Sequence, residues 1–292
     1  MTNELSEIYD LHKFTHHAMA TLFEFYIQNE DPDYAEQAAW AAFSEIDRLE
    51  DELSRYRPNS EISNINTLPA GQKLIITEDA FECIRMALEL KALTSRAFDI
   101  TYADQGENSD MPNLILDEEE MSVLRRSENT LIDLGGIGKG YAIEKAELIL
   151  KDYGITSALI HGGFSSVKAI GAPEEFSGWA VTISNPFDSN EQILKLYLKD
   201  VSVSGSGIKK GGHIIDPSTG KAALSKFCAW AFSRSAIMSE GFSTAFMILD
   251  NAKVKEICEG NEELYGVVLD AGYSETKNYF SAGDSSLIKI IP

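Results

Sequence analysis

The chain has 292 residues, of which 44% are hydrophobic, so it is long enough to bury a substantial core in one large or two small domains. Its 46 acidic residues outnumber its 25 basic residues, and the formal net charge is −21. This charge argues against a nucleic-acid or anionic-membrane surface, since both need a basic patch. We therefore expect no nucleic-acid partner.

The cysteines and the first residues indicate the compartment. Cys83, Cys228 and Cys258 have neither paired nor C-x-x-C spacing, which predicts reduced, buried thiols. The first 17 residues are polar and lack an apolar signal-peptide core, and no stretch is long enough to span a bilayer. We expect a cytoplasmic protein, unless a leader segment has been removed, with a polar N-terminal extension at 1–15 and a single domain at 16–292.

The first half of the chain alternates strands and helices. Asp31 followed by Pro32 predicts a helix start, because an acid caps the N-terminus and proline suits the first turn. Thr77 is the expected cap of the next helix. The predicted elements are a strand at 22–27, a helix at 32–53, a loop at 54–66, a strand at 74–76, a helix at 77–94, a strand or extended turn at 97–102 and an irregular loop at 103–113.

The second half contains more strands, many of them separated by short turns. Its predicted elements are strands at 114–116 and 123–124 around a solvated acidic turn, a helix that stops at Gly154, strands at 158–160, 167–170, 179–184 and 193–198, a glycine-rich region at 202–212, a helix at 235–249 and a strand at 265–269. Short connections favour antiparallel pairing, so the pattern predicts an α+β fold with largely antiparallel sheets flanked by helices.

A glycine-rich turn at 131–144 is the most informative motif. An apolar run ends at Asp133, and Lys139 is the one cation of the turn before a helical pattern begins. Amide groups at a helix start bind phosphate oxygens, and a lysine adds positive charge. Gly140 stands where a Walker A loop needs Ser or Thr, and the G-x-G-x-x-G order is absent. Phosphate binding and a plain strand-to-helix turn are equally good interpretations.

Three other segments carry polar groups, each with a structural alternative. His213 precedes an Ile-Ile-Asp-Pro-Ser-Thr-Gly turn, and a lone histidine is more often structural than catalytic. Glu240 and Thr244 share a helix face and present the oxygens that Mg²⁺ prefers, although a capping or solvated glutamate is the simpler reading. Tyr56 follows a helix in a polar loop, where it either stacks on a flat ligand or fills the core.

In order along the chain, these segments resemble one family. The chain is similar to the ApbE family, the flavin transferases also called FAD:protein FMN transferases, with a T-fold-like architecture. The resemblance covers roughly residues 16–270, and the motifs at 131–142 and 213–220 are its most specific parts. The matching segments are His-Ala-Met-Ala-Thr at 17–21, Leu-Ser-Arg-Tyr at 53–56, Ala-Phe-Asp-Ile-Thr at 97–101, Asp-Leu-Gly-Gly-Ile-Gly-Lys-Gly-Tyr-Ala at 133–142, Gly-Gly-Phe-Ser-Ser at 162–166, Ser-Gly at 204–205, His-Ile-Ile-Asp-Pro at 213–217 and Ser-Thr-Ala at 243–245.

The resemblance implies Mg²⁺-dependent cleavage of the FAD pyrophosphate and transfer of FMN to a Ser or Thr hydroxyl of a target protein, or to water. His213 and Glu240 would be catalytic, with His213 beside the reacting phosphates. The implied Mg²⁺ ligands are the Gly136 carbonyl, the Glu240 carboxylate and the Thr244 hydroxyl. The implied FAD contacts are Met19, Tyr56, Ala97, Phe98, Asp99, Asp133, Lys139 and Ile214.

The chain departs from the family pattern at several positions. Glu240 stands where the family usually has Asp, and the extra methylene moves the carboxylate by roughly 1.5 Å. The segment after Thr101 is short and lacks the family's Pro-Leu and Trp-Gly-Phe residues, which help to wall the site. Glu144 replaces a common Asp, and Gly163-Phe164 stands where Gly-Asp is frequent.

Three hypotheses follow. The first is an active flavin transferase, favoured by the retained motif residues. The second is an FAD-binding or FAD-hydrolysing relative with weak transfer. The third is a non-catalytic member that binds a protein or another ligand. The target protein and the oligomeric state are open.

Overall fold

The computed structural model describes residues 8–101, 113–270, 279–283 and 289–290. Its strands are β1 (Leu11–Ala18), β2 (Thr21–Gln28), β3 (Gln72–Ile75), β4 (Leu114–Asp117), β5 (Ser122–Arg125), β6 (Ala158–Gly162), β7 (Ser166–Ile170), β8 (Trp179–Asn185), β9 (Asp188–Leu198), β10 (Ser202–Gly207), β11 (Ile215–Asp216), β12 (Lys221–Ala222), β13 (Lys226–Ser233), β14 (Leu264–Asp270), β15 (Tyr279–Gly283) and β16 (Lys289–Ile290). Its α-helices are α1 (Pro32–Leu53), α2 (Glu61–Thr67), α3 (Glu78–Leu93), α4 (Gly138–Asp152), α5 (Ala236–Phe246) and α6 (Asn251–Glu259).

An eight-stranded antiparallel sheet organises the molecule, in the order β1-β2-β6-β7-β10-β13-β14-β15. Tight turns make the antiparallel pairing possible: Met19 and Ala20 join β1 to β2, and Gly163, at φ +69°, starts the β6–β7 turn. Smaller sheets form from β3-β5-β4, from β16-β9-β8 and from β11-β12. The α+β class and the largely antiparallel pairing predicted from the sequence are confirmed.

Side-chain alternation along the strands divides the core into two layers. Phe25 of β2 faces the helices, where its ring centroid lies 4.4 Å from that of Phe43 in α1. Its neighbour Tyr26 faces the opposite side and packs in a second cluster with Val167 and Trp179. That cluster lies under the β8–β9 hairpin. Helices therefore cover one face of the sheet and a hairpin covers the other, as a period of two residues requires.

Helix α5 lies at the centre of the helical layer, and glycines allow its close contacts. A Cβ atom built on Gly140 of α4 would lie 2.5 Å from the carbonyl oxygen of Ala236. One built on Gly241 of α5 would lie 2.3 Å from Cδ1 of Leu90 in α3. Real Cβ atoms do not approach so closely, so Gly140, which faces backbone, needs glycine, whereas at Gly241 the Leu90 side chain would have to move. The Gly140 contact brings the start of α4 directly onto α5.

Most predicted elements are present, including the Asp31 cap of α1 and the Thr77 cap of α3. The loop predicted at 54–66 was wrong in part, because Ser60 accepts a hydrogen bond from the Ser63 amide (2.9 Å) and starts α2. Residues 97–101 form turns rather than a strand. The helix predicted to reach 249 ends at Phe246, and α6 follows it.

Two segments to which the sequence analysis assigned no strand contain strands in the structure. Residues 11–15, which were assigned to the polar extension, lie in the edge strand β1. The division of the chain into domains stays a prediction. The glycine-rich region at 202–212 contains the central strand β10. Residues 1–7 and the irregular segment at 103–112 lie outside the described residues.

The cysteine prediction is confirmed, since all three thiols are free and buried. Burial raises the pKa of each of them above its usual range, so they are poor nucleophiles. Among the described residues, the structure contains no helix that is both long and apolar enough to cross a membrane.

Candidate functional site

The glycine turn before α4 is held by hydrogen bonds of Asp133. The Asp133 amide donates to the Ile100 carbonyl (2.9 Å), and the Asp133 carboxylate accepts from the Gly135 amide (2.9 Å). The residue before α4, Ile137, offers no side-chain cap. The Gly138 amide donates to the Leu134 carbonyl (2.7 Å), whereas the Gly140 amide is satisfied by a group from another element.

That group is Glu240 of α5, which is only 5% exposed. Its Oε2 accepts from the Gly140 amide (2.6 Å), and its Oε1 forms an ion pair with the Lys139 ammonium. The acid predicted as a metal ligand and the lysine predicted to contact FAD are thus directly paired. A buried carboxylate is stabilised by such an ammonium and by a helix N-terminus, so Glu240 also has the capping role that was its structural alternative.

Three hydroxyl groups lie beside Glu240. The hydroxyls of Ser243 and Thr244 donate to the Glu240 carbonyl, at 2.9 and 3.3 Å. Ser206, at the end of β10, lies 2.9 Å from Ser243 Oγ and 3.2 Å from Thr244 Oγ1. Ser206 was not predicted, although it belongs to the Ser-Gly-Ser-Gly run of β10. The cluster joins the central sheet to α5 and adds oxygen atoms next to the buried acid.

Gly136 brings the glycine turn against the same cluster. A Cβ atom built on it would lie 3.1 Å from Cε2 of Phe98 and 3.8 Å from Thr244 Oγ1. Phe98 and its neighbour Ala97 are buried. The structure therefore brings together Gly136, Thr244 and Phe98, which are distant in the sequence.

The carboxylate of Asp99 is already engaged within the fold. It forms an ion pair with Lys91 (2.8 Å) and accepts from the Thr101 hydroxyl (2.6 Å). Its side chain is almost fully buried. Asp99 thus stiffens the turn that carries Ala97 and Phe98.

Tyr56 lies on the surface beside Asp133. Arg55 connects the two, because its Nε lies 3.3 Å from Asp133 Oδ2 and its guanidinium lies 4.7 Å from the centroid of the Tyr56 ring. Arg55 also donates to the Tyr56 hydroxyl (2.8 Å). The tyrosine side chain is 79% exposed, which excludes the core-filling alternative and leaves an accessible aromatic face.

Met19 occupies a strained turn. Met19 and Ala20 have φ values of +50° and +55°, in the left-handed region that residues other than glycine seldom adopt. The Met19 amide donates to Oε2 of Glu50 in α1 (2.8 Å). The sequence contained no signal for this contact, since the two residues are 31 positions apart.

His213 is exposed, and its Nδ1 lies 3.0 Å from the Gly211 carbonyl oxygen. Because a carbonyl only accepts, Nδ1 is the donor, so Nε2 carries the lone pair in the neutral form of the imidazole. Ile214 is buried, and its carbonyl accepts from the Ala223 amide (2.9 Å). Among the described residues, the hydrogen bond of His213 stays within its own turn and does not join it to Glu240.

The turn after His213 is rigid. Burial acts to raise the pKa of Asp216, but hydrogen bonds from Ser218 and Thr219 outweigh it and hold that pKa below its usual range. The Ser218 hydroxyl donates at 2.7 Å and the Thr219 hydroxyl at 3.0 Å. Asp216 is therefore an ionised anchor of its own turn.

The structure shows the surroundings of two departures from the family pattern, Glu144 and Gly163-Phe164. Oε2 of Glu144 accepts from the Ser235 hydroxyl (2.9 Å) and from the Ile237 amide (3.3 Å), so this acid caps α5. Gly163 lies where a Cβ atom would meet Thr21 Oγ1 at 2.3 Å, and Phe164 next to it is fully exposed. The shortened segment after Thr101 lies outside the described residues.

Two solved flavin transferase structures have a similar fold. The apo form of the flavinyl transferase ApbE of Pseudomonas stutzeri superposes with a TM-score of 0.79 and 22% identity, covering 93% of this chain and 94% of that one. The flavin transferase ApbE of Vibrio cholerae gives a TM-score of 0.79 and 17% identity, covering 95% and 98%. At these identities the likeness establishes the fold.

Sequence comparison establishes the family. The ApbE family model matches residues 19–268, and the chain belongs to this family. The FAD:protein FMN transferase of Vibrio cholerae serotype O1 is 23% identical over 272 residues, which cover 80% of this chain and 81% of the relative. That of Buchnera aphidicola subsp. Schizaphis graminum is 26% identical over 247 residues, covering 72% of each. The resemblance predicted from the motifs is confirmed.

Proposed function

We propose that the protein transfers the FMN part of FAD to a Ser or Thr hydroxyl of a target protein and releases AMP. Family membership supports the reaction class. The observation that carries the proposal is the junction of α4 and α5, where Lys139, the Gly140 amide and Glu240 lie in direct contact. The Gly140 amide already donates to Glu240, whereas an ammonium has several donors and can bind phosphate oxygens as well as a carboxylate. The junction also adjoins a cluster of oxygen ligands.

The residues suit a Mg²⁺ ion. The proposed ligands, the Gly136 carbonyl, the Glu240 carboxylate and the Thr244 hydroxyl, are all oxygen donors, which a hard cation requires. Gly136 and Thr244 adjoin each other, and Thr244 is one helical turn from Glu240. Each carboxylate oxygen has two lone pairs, so Glu240 retains acceptor capacity beside its present partners. A bound Mg²⁺ would neutralise charge on the pyrophosphate and would help to orient the leaving AMP.

Acidic side chains alone would not have revealed this ligand set. Across the described part of the chain, no group of three or more His, Cys, Asp or Glu side chains is arranged to hold a metal. The proposed set contains only one such side chain, because the other two ligands are a carbonyl and a hydroxyl. It therefore depends on the fold that brings Gly136 and α5 together.

The proposed flavin contacts come from several segments of the chain, in and outside the glycine turn. Tyr56 offers an exposed ring for stacking on the isoalloxazine, and Met19 lies at the β1–β2 turn. Phe98 lies against Gly136 at the floor of the site, with Ala97 beside it. Asp133 would contact FAD through its carboxylate. Asp99 and Ile214 complete the proposed set. Asp99 stabilises the turn that carries Ala97 and Phe98, and Ile214 would present its backbone to FAD.

In the proposed reaction, the acceptor hydroxyl oxygen attacks the phosphorus of the FMN phosphate. The bond from that phosphorus to the bridging oxygen breaks, and AMP leaves with the bridging oxygen. His213 Nε2 takes the proton of the acceptor hydroxyl, since Nδ1 is already a donor to Gly211. Lys139 holds a pyrophosphate oxygen and stabilises the charge that develops. Water in place of the hydroxyl would give FMN and AMP.

The acceptor is tested by co-expressing the chain with candidate Ser/Thr-containing proteins and detecting fluorescent flavin that survives denaturing electrophoresis. Thr244→Val is the matched control, because it keeps the side-chain shape and removes one proposed ligand. Fluorescent bands with the native chain and none with the variant support transfer. FMN and AMP without any labelled protein would identify an FAD hydrolase, and FAD binding without cleavage a non-catalytic member. The cytoplasmic location stays a sequence-based prediction.

A further inference from the structure

The turn between β1 and β2 adopts a conformation that its sequence disfavours. Met19 and Ala20 are both left-handed, with φ of +50° and +55°. Two-residue hairpins of this geometry normally use Asn-Gly, because a Cβ atom is unfavourable at positive φ. A turn without glycine or asparagine needs an outside contact to keep its shape.

Glu50 of α1 provides that contact. Its Oε2 accepts from the Met19 amide at 2.8 Å. Its Oε1 lies 3.4 Å from a guanidinium nitrogen of Arg57. The same side chain, which is 22% exposed, therefore joins the β1–β2 turn to the loop that follows α1.

The loop after α1 carries Tyr56. Its start is tied to the same helix turn, because the Ser54 amide donates to the Glu50 carbonyl (3.2 Å), and the Tyr56 amide donates to the Ser54 hydroxyl (3.2 Å). Glu50 thus connects, through its main chain and its side chain, to the segments that present Met19 and Tyr56.

We propose that Glu50 is a positioning residue that fixes the Met19 turn relative to Tyr56 and so sets the geometry of the flavin-binding side of the site. The assignment rests on the proposed function, in which Met19 and Tyr56 contact the flavin. Glu50 acts through these residues and touches no reacting atom. Its carboxylate favours the left-handed turn by accepting a hydrogen bond from the Met19 amide.

The test uses Glu50→Leu, which removes the acceptor, and Glu50→Gln, which keeps an acceptor oxygen at the same distance along the side chain. Glu89→Leu on α3 is the matched control. Glu89 is exposed, and its ion pair with Arg85 is long, at 3.6 Å, so the same substitution removes only a surface contact there. The Kd for FAD is measured by quenching of flavin fluorescence. We expect Glu50→Leu to weaken binding about tenfold, the equivalent of one charge-assisted hydrogen bond, and Glu50→Gln to weaken it about threefold or less.

A second substitution separates positioning from general destabilisation. Ala20→Gly relieves the left-handed conformation, because glycine adopts positive φ without a steric penalty. We expect Glu50→Leu/Ala20→Gly to recover most of the lost FAD affinity. If the double variant binds FAD no better than Glu50→Leu, or if Glu50→Leu binds it like the native chain, the positioning role is overturned.

Amide hydrogen exchange tests the contact without FAD. We expect Glu50→Leu to accelerate exchange at the Met19 amide, and Glu89→Leu to leave it unchanged, because only the first removes the acceptor. Unchanged exchange in Glu50→Leu would overturn the proposal even if the native chain binds FAD. A native chain that binds no FAD, with exchange accelerated as expected, would overturn the proposed function and leave Glu50 as the clamp of the turn.

Discussion

Replacing Gly140 by alanine should separate α4 from α5. The new Cβ atom would lie 2.5 Å from the Ala236 carbonyl oxygen, 2.9 Å from its carbonyl carbon and 3.0 Å from Ile237 Cα. All three atoms belong to the backbone, so no side chain can rotate away. The helices must move apart, and this movement stretches the 2.6 Å hydrogen bond from the Gly140 amide to Glu240.

The expected loss combines two effects. Overpacking of a tight contact costs about 1–3 kcal/mol, and weakening of a hydrogen bond to a charged group costs about 1.5–3 kcal/mol. We therefore expect Gly140→Ala to lower the free energy of unfolding by about 2.5–6 kcal/mol, measured by urea denaturation followed by circular dichroism.

Gly138 of the same turn provides the control. A Cβ atom there meets only Leu134 Cβ, at 4.0 Å, which is an ordinary contact. Alanine is also the better helix former by up to about 1 kcal/mol, so Gly138→Ala should leave stability unchanged or slightly raised. Equal free energies of unfolding for the two variants would refute the argument that Gly140 is required by the α4–α5 contact.

Three further predictions concern single residues. Glu240→Gln should keep the fold and reduce Mg²⁺-dependent AMP release on the order of a hundredfold, measured by chromatography; unchanged turnover would remove Glu240 from the site. Burial lowers the pKa of His161 to about 4. As pH falls from about 6.5 to 4, this histidine is protonated in the unfolded chain but not in the folded one, so stability is lost. The urea midpoint of His161→Phe should fall less than that of the native chain over this range, and parallel pH profiles would contradict this. Gly163→Ala should lower the free energy of unfolding by about 1–3 kcal/mol, because φ is +69° and the Cβ atom would meet Thr21. Adding Thr21→Ala to this variant should restore part of the urea midpoint. If it restores none, the whole cost comes from the backbone conformation.

Local signals predicted α1, α3, α4 and α5 but missed α2 and α6, and tertiary contacts explain other differences. Asp31 and Pro32 mark the start of α1 without reference to the rest of the chain. Strand β10 has a Ser-Val-Ser-Gly-Ser-Gly sequence that has weak strand propensity, and it forms because β7 and β13 pair with it on both sides. Gly205 in this strand faces Trp230, whose ring a Cβ atom would meet at 2.7 Å.

In the candidate site, too, local motifs identified single residues and tertiary contacts showed how they pair. The motifs identified Lys139 and Glu240 separately, but 101 positions separate them, and only the α4–α5 contact shows that they are paired. Arg55 and Ser206 are ordinary residues in the sequence and become informative through their contacts with Asp133 and with the α5 hydroxyls.

The most direct measurement is AMP release from FAD by the purified chain, with Mg²⁺ and with a chelator, after calorimetric titration of FAD under both conditions. The account predicts FAD binding and AMP formation that depends on Mg²⁺. Absence of FAD binding under both conditions would contradict it, and would mean that the ApbE motifs of this chain serve the fold alone.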